Sequence, residues 1–335
     1  MTPTDMNISA EAQAMKAIRV REFGGPEVLH IEDVDLPQPA NDEVVVRVKA
    51  AGVNPYDTYM RAGSYGVRNP ALPYTPGSDA AGTIEFVGPA NQHWEVGARV
   101  YTTGTVTGAY AELALCKMDQ VHRLPAHVTY SQGAALYVPY ATAYRALFQL
   151  ARAKPGETVL IHGASGGVGI AATQWARAVG LRVIGTAGSD RGLQLVADQG
   201  ASYSFNHHSP EYRQRILDVT EGRGVDVIVE MLANVNLAHD VRLLAHRGRI
   251  VIVGSRGDAQ LTPRDLFSRE GTILGVLLWA VPVRDAGEIY AAIDAGLRSN
   301  ALLPVVGSEL PLADAATSHR RLMESGAFGK IVLIP

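Results

Sequence analysis

The fold of this chain is decided by residues 158–169, which read Thr158-Val159-Leu160-Ile161-His162-Gly163-Ala164-Ser165-Gly166-Gly167-Val168-Gly169. A short apolar run is followed at once by a glycine-rich turn, and a helical stretch then continues to about Val179. Glycines let the backbone approach a phosphate closely, and the N–H groups at the start of the helix attract its charge. Ala164 breaks the strict G-x-G-x-x-G spacing that would end at Gly169, whereas Gly167-x-Gly169-x-x-Ala172 fits the looser form. We therefore predict a dinucleotide-binding turn rather than a purely structural one.

Apolar runs and helical stretches alternate after this turn. The runs are predicted to be strands, with a weaker one near Tyr203: Thr158 to His162, Arg182 to Gly185, Val225 to Val229, Arg249 to Val253 and Ile273 to Leu277. Continuous Val, Ile and Leu runs are typical of parallel strands that helices cover on both faces. The pattern predicts an α/β fold with a doubly wound parallel Rossmann sheet of about six strands.

The first part of the chain has a different sequence pattern. Short β-type runs are separated there by Gly and Pro: Lys16 to Arg21, Val44 to Ala50, Gly82 to Val87, Arg99 to Thr102 and Tyr110 to Leu115. A long helical stretch, Ser131 to Leu150, follows, and the tail returns to β-type sequence at Lys330 to Ile334. We predict a β-rich domain of residues 1–135 and 300–335 and a dinucleotide-binding domain of residues 136–299.

Composition excludes several classes of protein. The 335 residues are 47% hydrophobic and 19% charged, which is enough apolar side chain to exclude wholesale disorder. A formal charge of −3 gives no global field to hold nucleic acid. No run reaches the roughly 18 apolar residues of a membrane span. Met1 to Gln13 lacks the features of a secretory signal and is expected to be a loose arm, and the single Cys116 favours a cytoplasmic location.

The end of the second predicted strand bears on the type of dinucleotide. NAD-binding folds usually carry an acidic residue about 20 residues beyond the glycines, where it binds the ribose 2′-hydroxyl. Here the strand end is Gly185-Thr186-Ala187-Gly188, without a carboxylate, and small residues leave room for a 2′-phosphate. Ser189 or Arg191 can donate to that phosphate, while Asp190 is expected to be a helix cap or first-turn acid. We therefore predict NADPH.

Four stretches carry a family resemblance: Asn54-Pro55-Tyr56-Asp57-Thr58-Tyr59, Pro73-Tyr74-Thr75-Pro76-Gly77-Ser78-Asp79, His162 to Gly169, and Glu230-Met231-Leu232-Ala233-Asn234-Val235-Asn236. The chain resembles the zinc-independent, zeta-crystallin-like quinone oxidoreductases of the medium-chain dehydrogenase/reductase superfamily. The resemblance implies a GroES-like β-rich domain beside the Rossmann domain. It also implies reduction of quinones or electron-poor enones by NADPH, in a cleft between the two domains.

Zinc-dependent relatives bind their catalytic metal with a Cys and a Gly-His-Glu segment. By the resemblance, Asn54 stands at the Cys position, and Gly77-Ser78-Asp79 replaces Gly-His-Glu. With a single cysteine and no clustered histidines in the first domain, a tetrahedral zinc site is not available locally. We predict no metal. The adjacent His207 and His208 are interpreted as polar loop residues rather than as a ligand pair.

Without a metal, neutral donors must stabilise negative charge that develops on the reduced substrate. Asn54, Tyr59 and Tyr65 are the candidates, because an amide and a phenol both donate at neutral pH. The resemblance also places Tyr59 along the cofactor, and Tyr65 is similar in position to the catalytic tyrosine of related enoyl-thioester reductases. A packing role or a surface hydroxyl is the alternative for each tyrosine.

The resemblance further implies a set of cofactor contacts: Ser165, Gly166, Gly167 and Val168 at the pyrophosphate, Gly188 and His207 at the adenosine side, Asn236, Val253, Gly254, Ser255 and Arg256, and Val276, Leu277 and Leu278 near the nicotinamide. Lys330 is a further cation predicted to contact a phosphate, against the alternative of a solvated surface lysine.

The sequence leaves several alternatives open. An enoyl or carbonyl reductase would use the same scaffold, and some members of this family bind AU-rich RNA or accumulate as lens structural proteins. The balanced charge disfavours RNA as the main ligand. The resemblance also implies a homodimer or homotetramer, with the Rossmann sheet extended across a two-fold axis through Ile273 to Leu277.

Overall fold

The computed structural model describes residues 14–65, 69–91, 93–324, 326 and 328–335. The expected N-terminal arm, Met1 to Gln13, lies outside the described residues. The first elements in chain order are β1 (Ala14–Arg19), β2 (His30–Asp35), β3 (Glu43–Gly52), α1 (Pro55–Arg61), β4 (Asp79–Val87), β5 (Arg99–Thr102), β6 (Leu113–Lys117), β7 (Val121–Arg123), α2 (Tyr130–Gly133) and α3 (Thr142–Tyr144).

The remaining elements are β8 (Thr158–Ile161), α4 (Gly167–Ala178), β9 (Arg182–Ala187), α5 (Asp190–Asp198), β10 (Tyr203–Asn206), α6 (Tyr212–Val219), β11 (Val225–Glu230), α7 (Ala233–Leu243), β12 (Leu244–Ile252), α8 (Pro263–Phe267), β13 (Thr272–Gly275), α9 (Val283–Arg298), β14 (Val306–Pro311), α10 (Ala315–Met323) and β15 (Lys330–Ile334). Short 3₁₀ turns occur at Pro26–Val28, Met118–Gln120, Leu278–Ala280 and Leu312–Asp314. Among the described residues, none of the helices is both long and apolar enough to cross a bilayer.

The six predicted parallel strands form one sheet in the order β10-β9-β8-β11-β12-β13. Each neighbouring pair is parallel. Chain order reverses between β8 and β11, so this is the switch point at which a doubly wound sheet binds its ligand. All four residues of β8 are buried, as expected for a central strand between two helical layers. The predicted α/β, doubly wound architecture is confirmed.

The β-rich part contains a second sheet, in the order β14-β15-β3-β4-β5-β7, with β6 also paired to β3. The tail strand β15 lies antiparallel to β3, with Leu333 opposite Ala51. The chain therefore returns to the β-rich sheet after it has completed the parallel sheet. The domain boundaries themselves stay a prediction.

The stretch from Ser131 to Leu150 is largely helical, as predicted, but much of it is not regular α-helix. After α2 the chain forms two π-helical segments, Tyr137–Ala141 and Arg145–Leu150, on either side of α3. Pro139 lies inside the first of them. Because proline has no N–H and its ring clashes with the carbonyl of the preceding turn, it disrupts regular α-helical bonding there.

The tail also joins the two sheets beside the glycine-rich turn. The Gly329 N–H donates to the Ser165 carbonyl at 2.8 Å, and Gly166 and Gly329 form an isolated parallel bridge. Lys330 follows directly and begins β15, next to the end of β3. The glycine turn, the start of α1 and Lys330 are therefore brought together at the boundary between the sheets.

Substitution of Gly169 tests how tightly the glycine-rich turn is packed. A Cβ at Gly169 would lie 2.6 Å from the Ala164 Cα and closer still to the Gly163 carbonyl oxygen, and neither backbone atom can move freely. We expect Gly169→Ala to lower the free energy of unfolding by about 1–3 kcal/mol. Urea titration followed by circular dichroism measures this change.

Gly287 provides the matched control. It lies within α9, a Cβ attached to it would have no other atom within 4 Å, and its φ is not positive. Gly287→Ala should raise the free energy of unfolding by about 0.5–1 kcal/mol through helix propensity. An equal effect of the two substitutions would contradict the packing described for Gly169.

Candidate active site

The glycine-rich turn places Gly166 at the N-cap of α4 in an extended conformation, with φ −86° and ψ 173°. Glycine has no side chain with which to cap the helix, so the first N–H groups of α4 lack a side-chain cap. These groups include those of Gly167 and Val168, as the sequence predicts for a pyrophosphate site. An anion at this position is stabilised by the N–H groups and by the helix dipole.

The end of β9 forms the predicted adenosine side. Ser189 caps α5 by accepting from the Gly192 N–H at 3.2 Å, and Asp190 is a first-turn acid, as predicted. Arg191 is exposed, with its guanidinium 3.7 Å from the Phe328 ring centroid. The Ser189 hydroxyl and the Arg191 guanidinium are donors, and no carboxylate ends the strand.

His207 and His208 lie in the turn after β10. Their rings are 4.5 Å apart, and a Cβ added to Gly188 would lie 2.9 Å and 3.0 Å from their respective Nε2 atoms. A side chain at position 188 would therefore displace these two rings. Burial, and then the charge of His208, lower the pKa of His207. The pair of imidazoles borders the same strand end as Ser189.

Lys330 has a position that the sequence does not predict. Its side chain is buried, and Nζ lies 3.1 Å from Asp79 Oδ2 and donates to Asn54 Oδ1. Asn54 Nδ2 donates in turn to Asp79 Oδ2 at 3.0 Å, and Asp79 Oδ1 accepts from the Val138 N–H at 3.1 Å. An ammonium thus lies between the residues that resemblance aligned with zinc ligands. In this arrangement the Lys330 Nζ is paired with Asp79 and Asn54. Its predicted contact with a phosphate stays a prediction.

The three candidate catalytic residues lie at or near α1. Asn54 is the N-cap of α1 and is buried, whereas Tyr59 and Tyr65 are half-buried. Within the described residues, neither Tyr59 nor Tyr65 has a hydrogen-bond partner for its hydroxyl. Tyr65 lies 6.3 Å from Tyr56, measured between ring centroids.

A buried polar network that sequence reasoning missed lies behind α1. Asp57 Oδ2 accepts from the Asn54 N–H at 2.8 Å and from the Tyr110 hydroxyl at 3.0 Å. The Tyr110 oxygen is also 3.2 Å from His319 Nε2. Burial raises the pKa of Asp57 to about 7, and burial together with Arg61 lowers the pKa of His319 to about 3. These residues differ from other Asp, Tyr and His residues of the chain only in being buried together. The sequence pattern contains no signal for that burial.

A second buried cluster lies under the glycine turn and joins His162, Glu230 and Asp240. His162 Nε2 is 2.9 Å from Asp240 Oδ1 and 3.6 Å from Glu230 Oε2. Burial raises the pKa of Glu230 to about 8. Burial opposes the charge of His162, but the Asp240 and Glu230 carboxyls raise its pKa. Among the described residues, this is the one cluster of His, Cys, Asp or Glu close enough to share an ion, and it is not at Asn54.

Glu230 connects this cluster to a predicted cofactor contact. Its Oε1 accepts from Asn236 Nδ2 at 3.1 Å and from the Leu232 N–H. The turn at 231–236 is therefore held by a buried carboxyl at the end of β11. The carboxyl ends of β8 and β11 meet at the switch point, so Asn236 lies on the edge where the cofactor is expected.

The other predicted cofactor contacts lie along the same edge. The N–H groups of Val253 and Val276 donate to the Glu230 and Ile252 carbonyls at 2.8 Å and 3.0 Å. A Cβ on Gly254 would lie 2.8 Å from the Met231 carbonyl oxygen. Three further residues are partly or largely exposed: Ser255, Arg256 and Leu277. Leu278 begins the 3₁₀ turn that carries Trp279. All these assignments stay predictions.

Comparison with known proteins places both sheets in described families. Residues 40–126 match an alcohol dehydrogenase GroES-like domain, and residues 167–295 match a domain described as a zinc-binding dehydrogenase. The chain is 48% identical to human quinone oxidoreductase over 322 residues, 96% of this chain and 98% of that protein.

Two solved structures are similar over nearly the whole chain. An Escherichia coli quinone oxidoreductase complexed with NADPH is 29% identical with a TM-score of 0.85, covering 96% of this chain and 100% of that one. A mycobacterial protein complexed with NADPH is 31% identical with a TM-score of 0.87, with the same coverage. These matches confirm the resemblance that the sequence predicts and the GroES-like domain that it implies.

Removal of the Lys330 ammonium tests the buried ion pair. Lys330→Met leaves Asp79 buried without its cation, which should lower the free energy of unfolding by about 3–5 kcal/mol. The double variant Lys330→Met/Asp79→Asn should recover about 2 kcal/mol or more, because no unpaired charge remains. Arg298→Met breaks an exposed pair with Asp294 and should cost about 0–1 kcal/mol. Equal losses from Lys330→Met and Arg298→Met, in urea unfolding, would contradict the importance of the buried pair.

The Glu230 cluster predicts a dependence of stability on pH. In the unfolded chain Glu230 loses its proton at about pH 4.3, whereas in the folded chain it keeps the proton to about 8. Between these values the folded state binds more protons, so the free energy of unfolding falls as pH rises. Glu230→Gln should reduce this slope, while Asp57 and His162, whose pKa values are also raised, account for a remaining part. Unfolding at about pH 6 and about pH 8.5 measures it, and a slope equal to that of the wild type would assign the whole effect to other groups.

Proposed function

Because the chain belongs to the zinc-independent quinone oxidoreductases of the medium-chain dehydrogenase/reductase superfamily, we propose that it reduces quinones with NADPH as the reductant. The observation that carries this proposal is the match to human quinone oxidoreductase, which extends through both sheets and the boundary between them. The uncapped start of α4, at the switch point of the parallel sheet, supports a dinucleotide at that place.

The residues at the two ends of the dinucleotide site fit NADPH. The N–H groups at the start of α4 would hold the pyrophosphate, and Gly169 allows the tight turn that presents them. Ser189, Arg191 and His207 would surround the 2′-phosphate, where a carboxylate would repel it. Bound NADPH supplies the hydride. The chain's own residues orient it and provide hydrogen-bond donors to the substrate.

The donors proposed for the substrate oxygen are Asn54, Tyr59 and Tyr65. Lys330 and Asp79 fix the orientation of the Asn54 amide, because Asp79 accepts from it and Lys330 donates to it. An amide nitrogen carries two hydrogens, and Asp79 takes one of them. The second hydrogen and the two phenols are proposed to stabilise negative charge on the reduced oxygen, as preorganised donors do in other sites.

A homo-oligomer is also proposed. β13 is the outer strand of the Rossmann sheet in the described part of the chain, and Leu277 beyond it is 43% exposed. A two-fold axis beside this strand would pair it with its own copy. We propose a cytoplasmic protein, in keeping with its single buried cysteine.

Steady-state kinetics test the proposed activity. Purified protein is mixed with NADPH or NADH and an ortho-quinone, and the absorbance of the reduced nicotinamide is followed. We expect quinone-dependent oxidation with kcat/KM at least about tenfold higher for NADPH, since donors to a phosphate contribute about 1.5–3 kcal/mol. The double variant Ser189→Ala/Arg191→Ala should lower kcat/KM for NADPH and leave that for NADH unchanged.

The outcomes separate the alternatives. Absence of NADPH oxidation with any quinone would overturn the proposal, and faster turnover of an enone or an aldehyde would favour the enoyl or carbonyl reductase. Loss of activity on chelation that added zinc restores would overturn the zinc-independent mechanism. RNA binding would appear as a salt-dependent gel shift that NADPH does not compete.

A further inference from the structure

Tyr56 lies at the boundary between the two sheets, although the sequence did not single it out as a site residue. It is the second residue of α1, directly after Pro55, and its side chain is half-buried. Its hydroxyl is hydrogen-bonded to Ser78 Oγ. Ser78 precedes Asp79, so the pair of hydroxyls lies beside the buried Asn54, Asp79 and Lys330 group.

The Tyr56 ring contacts the half of the molecule that is proposed to hold the nicotinamide. Its centroid is 5.0 Å from that of Trp279, in an edge-on arrangement, and 6.3 Å from that of Tyr65. Trp279 follows Leu278 in the 3₁₀ turn after β13. Tyr56 therefore lies between the candidate substrate donors of α1 and the segment beside the predicted nicotinamide.

The hydroxyl pair of Tyr56 and Ser78 has one hydrogen available to donate to a third group. Two hydroxyl groups carry two hydrogens, and their mutual bond uses one. Burial, and then the negative charges of Asp57 and Asp79, hold the pKa of Tyr56 well above its usual range. The phenol therefore carries its hydrogen at neutral pH.

Asp57 follows Tyr56 in α1, and the Asp57 carboxyl is close enough to the Tyr56 phenol to raise its pKa. Its Oδ2 already accepts from the Asn54 N–H and the Tyr110 hydroxyl, so Oδ1 is the oxygen that remains to carry a proton. Behind it, the Tyr110 oxygen contacts His319 Nε2 at 3.2 Å. Charged and titratable groups face Asp57 from several elements: Asp79 of β4, Lys330 of β15, Tyr56 of α1, and Tyr74 and Tyr110 of loops. His319 of α10 is reached through Tyr110.

We infer that Tyr56 is a catalytic residue that donates the proton to the substrate oxygen, with Asp57 as its immediate source. This inference rests on the proposed function. Reduction of a quinone to a hydroquinone takes up one hydride and one proton. The hydride adds two electrons to the quinone, the Tyr56 O–H bond breaks as the new substrate O–H bond forms, and the phenolate takes a proton from the Asp57 carboxyl. Solvent then returns a proton to Asp57.

Tyr56→Phe is the direct test, because it keeps the ring against Trp279 and removes only the hydroxyl. We expect kcat for quinone reduction to fall on the order of 100-fold, as for loss of a general acid, with the Kd for NADPH unchanged. Tyr137→Phe is the matched control, since the Tyr137 ring also contacts Trp279, at 6.3 Å between centroids, but its hydroxyl interacts with Tyr290 instead of Ser78. It should retain wild-type kcat.

Asp57→Asn gives a second, independent measurement. In the wild type, kcat should fall as pH rises through the pKa of Asp57, about 7, because the carboxyl must hold a proton to resupply Tyr56. The Asn variant should show a low kcat without this pH dependence. Circular dichroism establishes whether it folds, and Tyr56→Phe decides the question if it does not.

The outcomes are distinguishable from failure of the proposed function. Wild-type protein that does not oxidise NADPH with any quinone overturns the proposed function, and this inference with it. Active wild type with unchanged kcat in Tyr56→Phe overturns the inference alone. A raised Kd for NADPH at unchanged kcat would show that Tyr56 serves cofactor binding and not proton donation.

Discussion

The Lys330 ammonium is buried and pairs with Asp79, and the arrangement of the whole boundary depends on how this charge is satisfied. The pair joins the tail strand to β4, and the Asn54 amide links it to the start of α1. A buried charge without its partner costs far more than a broken surface pair, so the tail can occupy its place only when Asp79 lies opposite. The adjacent Gly329 holds the same tail to the glycine turn. The ion pair thereby holds the tail strand within the β-rich sheet, and the Gly329 bond links that strand to the parallel-sheet half.

This arrangement supplies a cation where relatives of the dehydrogenase type use a metal. The ammonium has a fixed charge and a fixed attachment, so it orients Asn54 and Asp79 without an exchangeable ion. It does not provide an open coordination position for a substrate oxygen, as catalytic zinc does. The donors proposed to stabilise the reduced substrate, the amide and hydroxyl groups at the start of α1, are neutral.

On the cofactor side, a buried proton neutralises charge, as the Lys330 ammonium does at the start of α1. His162, Glu230 and Asp240 place two carboxyls beneath a turn that is proposed to bind a pyrophosphate. Two buried negative charges there would repel the ligand, and burial instead raises the pKa of Glu230 so that it holds a proton. The protonated cluster keeps Asn236 and the 231–236 turn in place. Both halves of the site therefore depend on charges that are neutralised inside the protein.

The sequence by itself determined the doubly wound sheet and its phosphate turn, because apolar periodicity and glycine spacing are local signals. The resemblance, which also comes from the sequence, implies that Asn54 and Gly77-Ser78-Asp79 stand where zinc-dependent relatives carry metal ligands. The sequence predicted the helical stretch from Ser131 to Leu150 but not the π-helical segment around Pro139. Only the tertiary structure paired Lys330 with Asp79, 251 residues away, and Tyr56 with Ser78. Such pairs join residues on separate elements, and no periodic pattern in a single sequence records which buried polar groups will face each other.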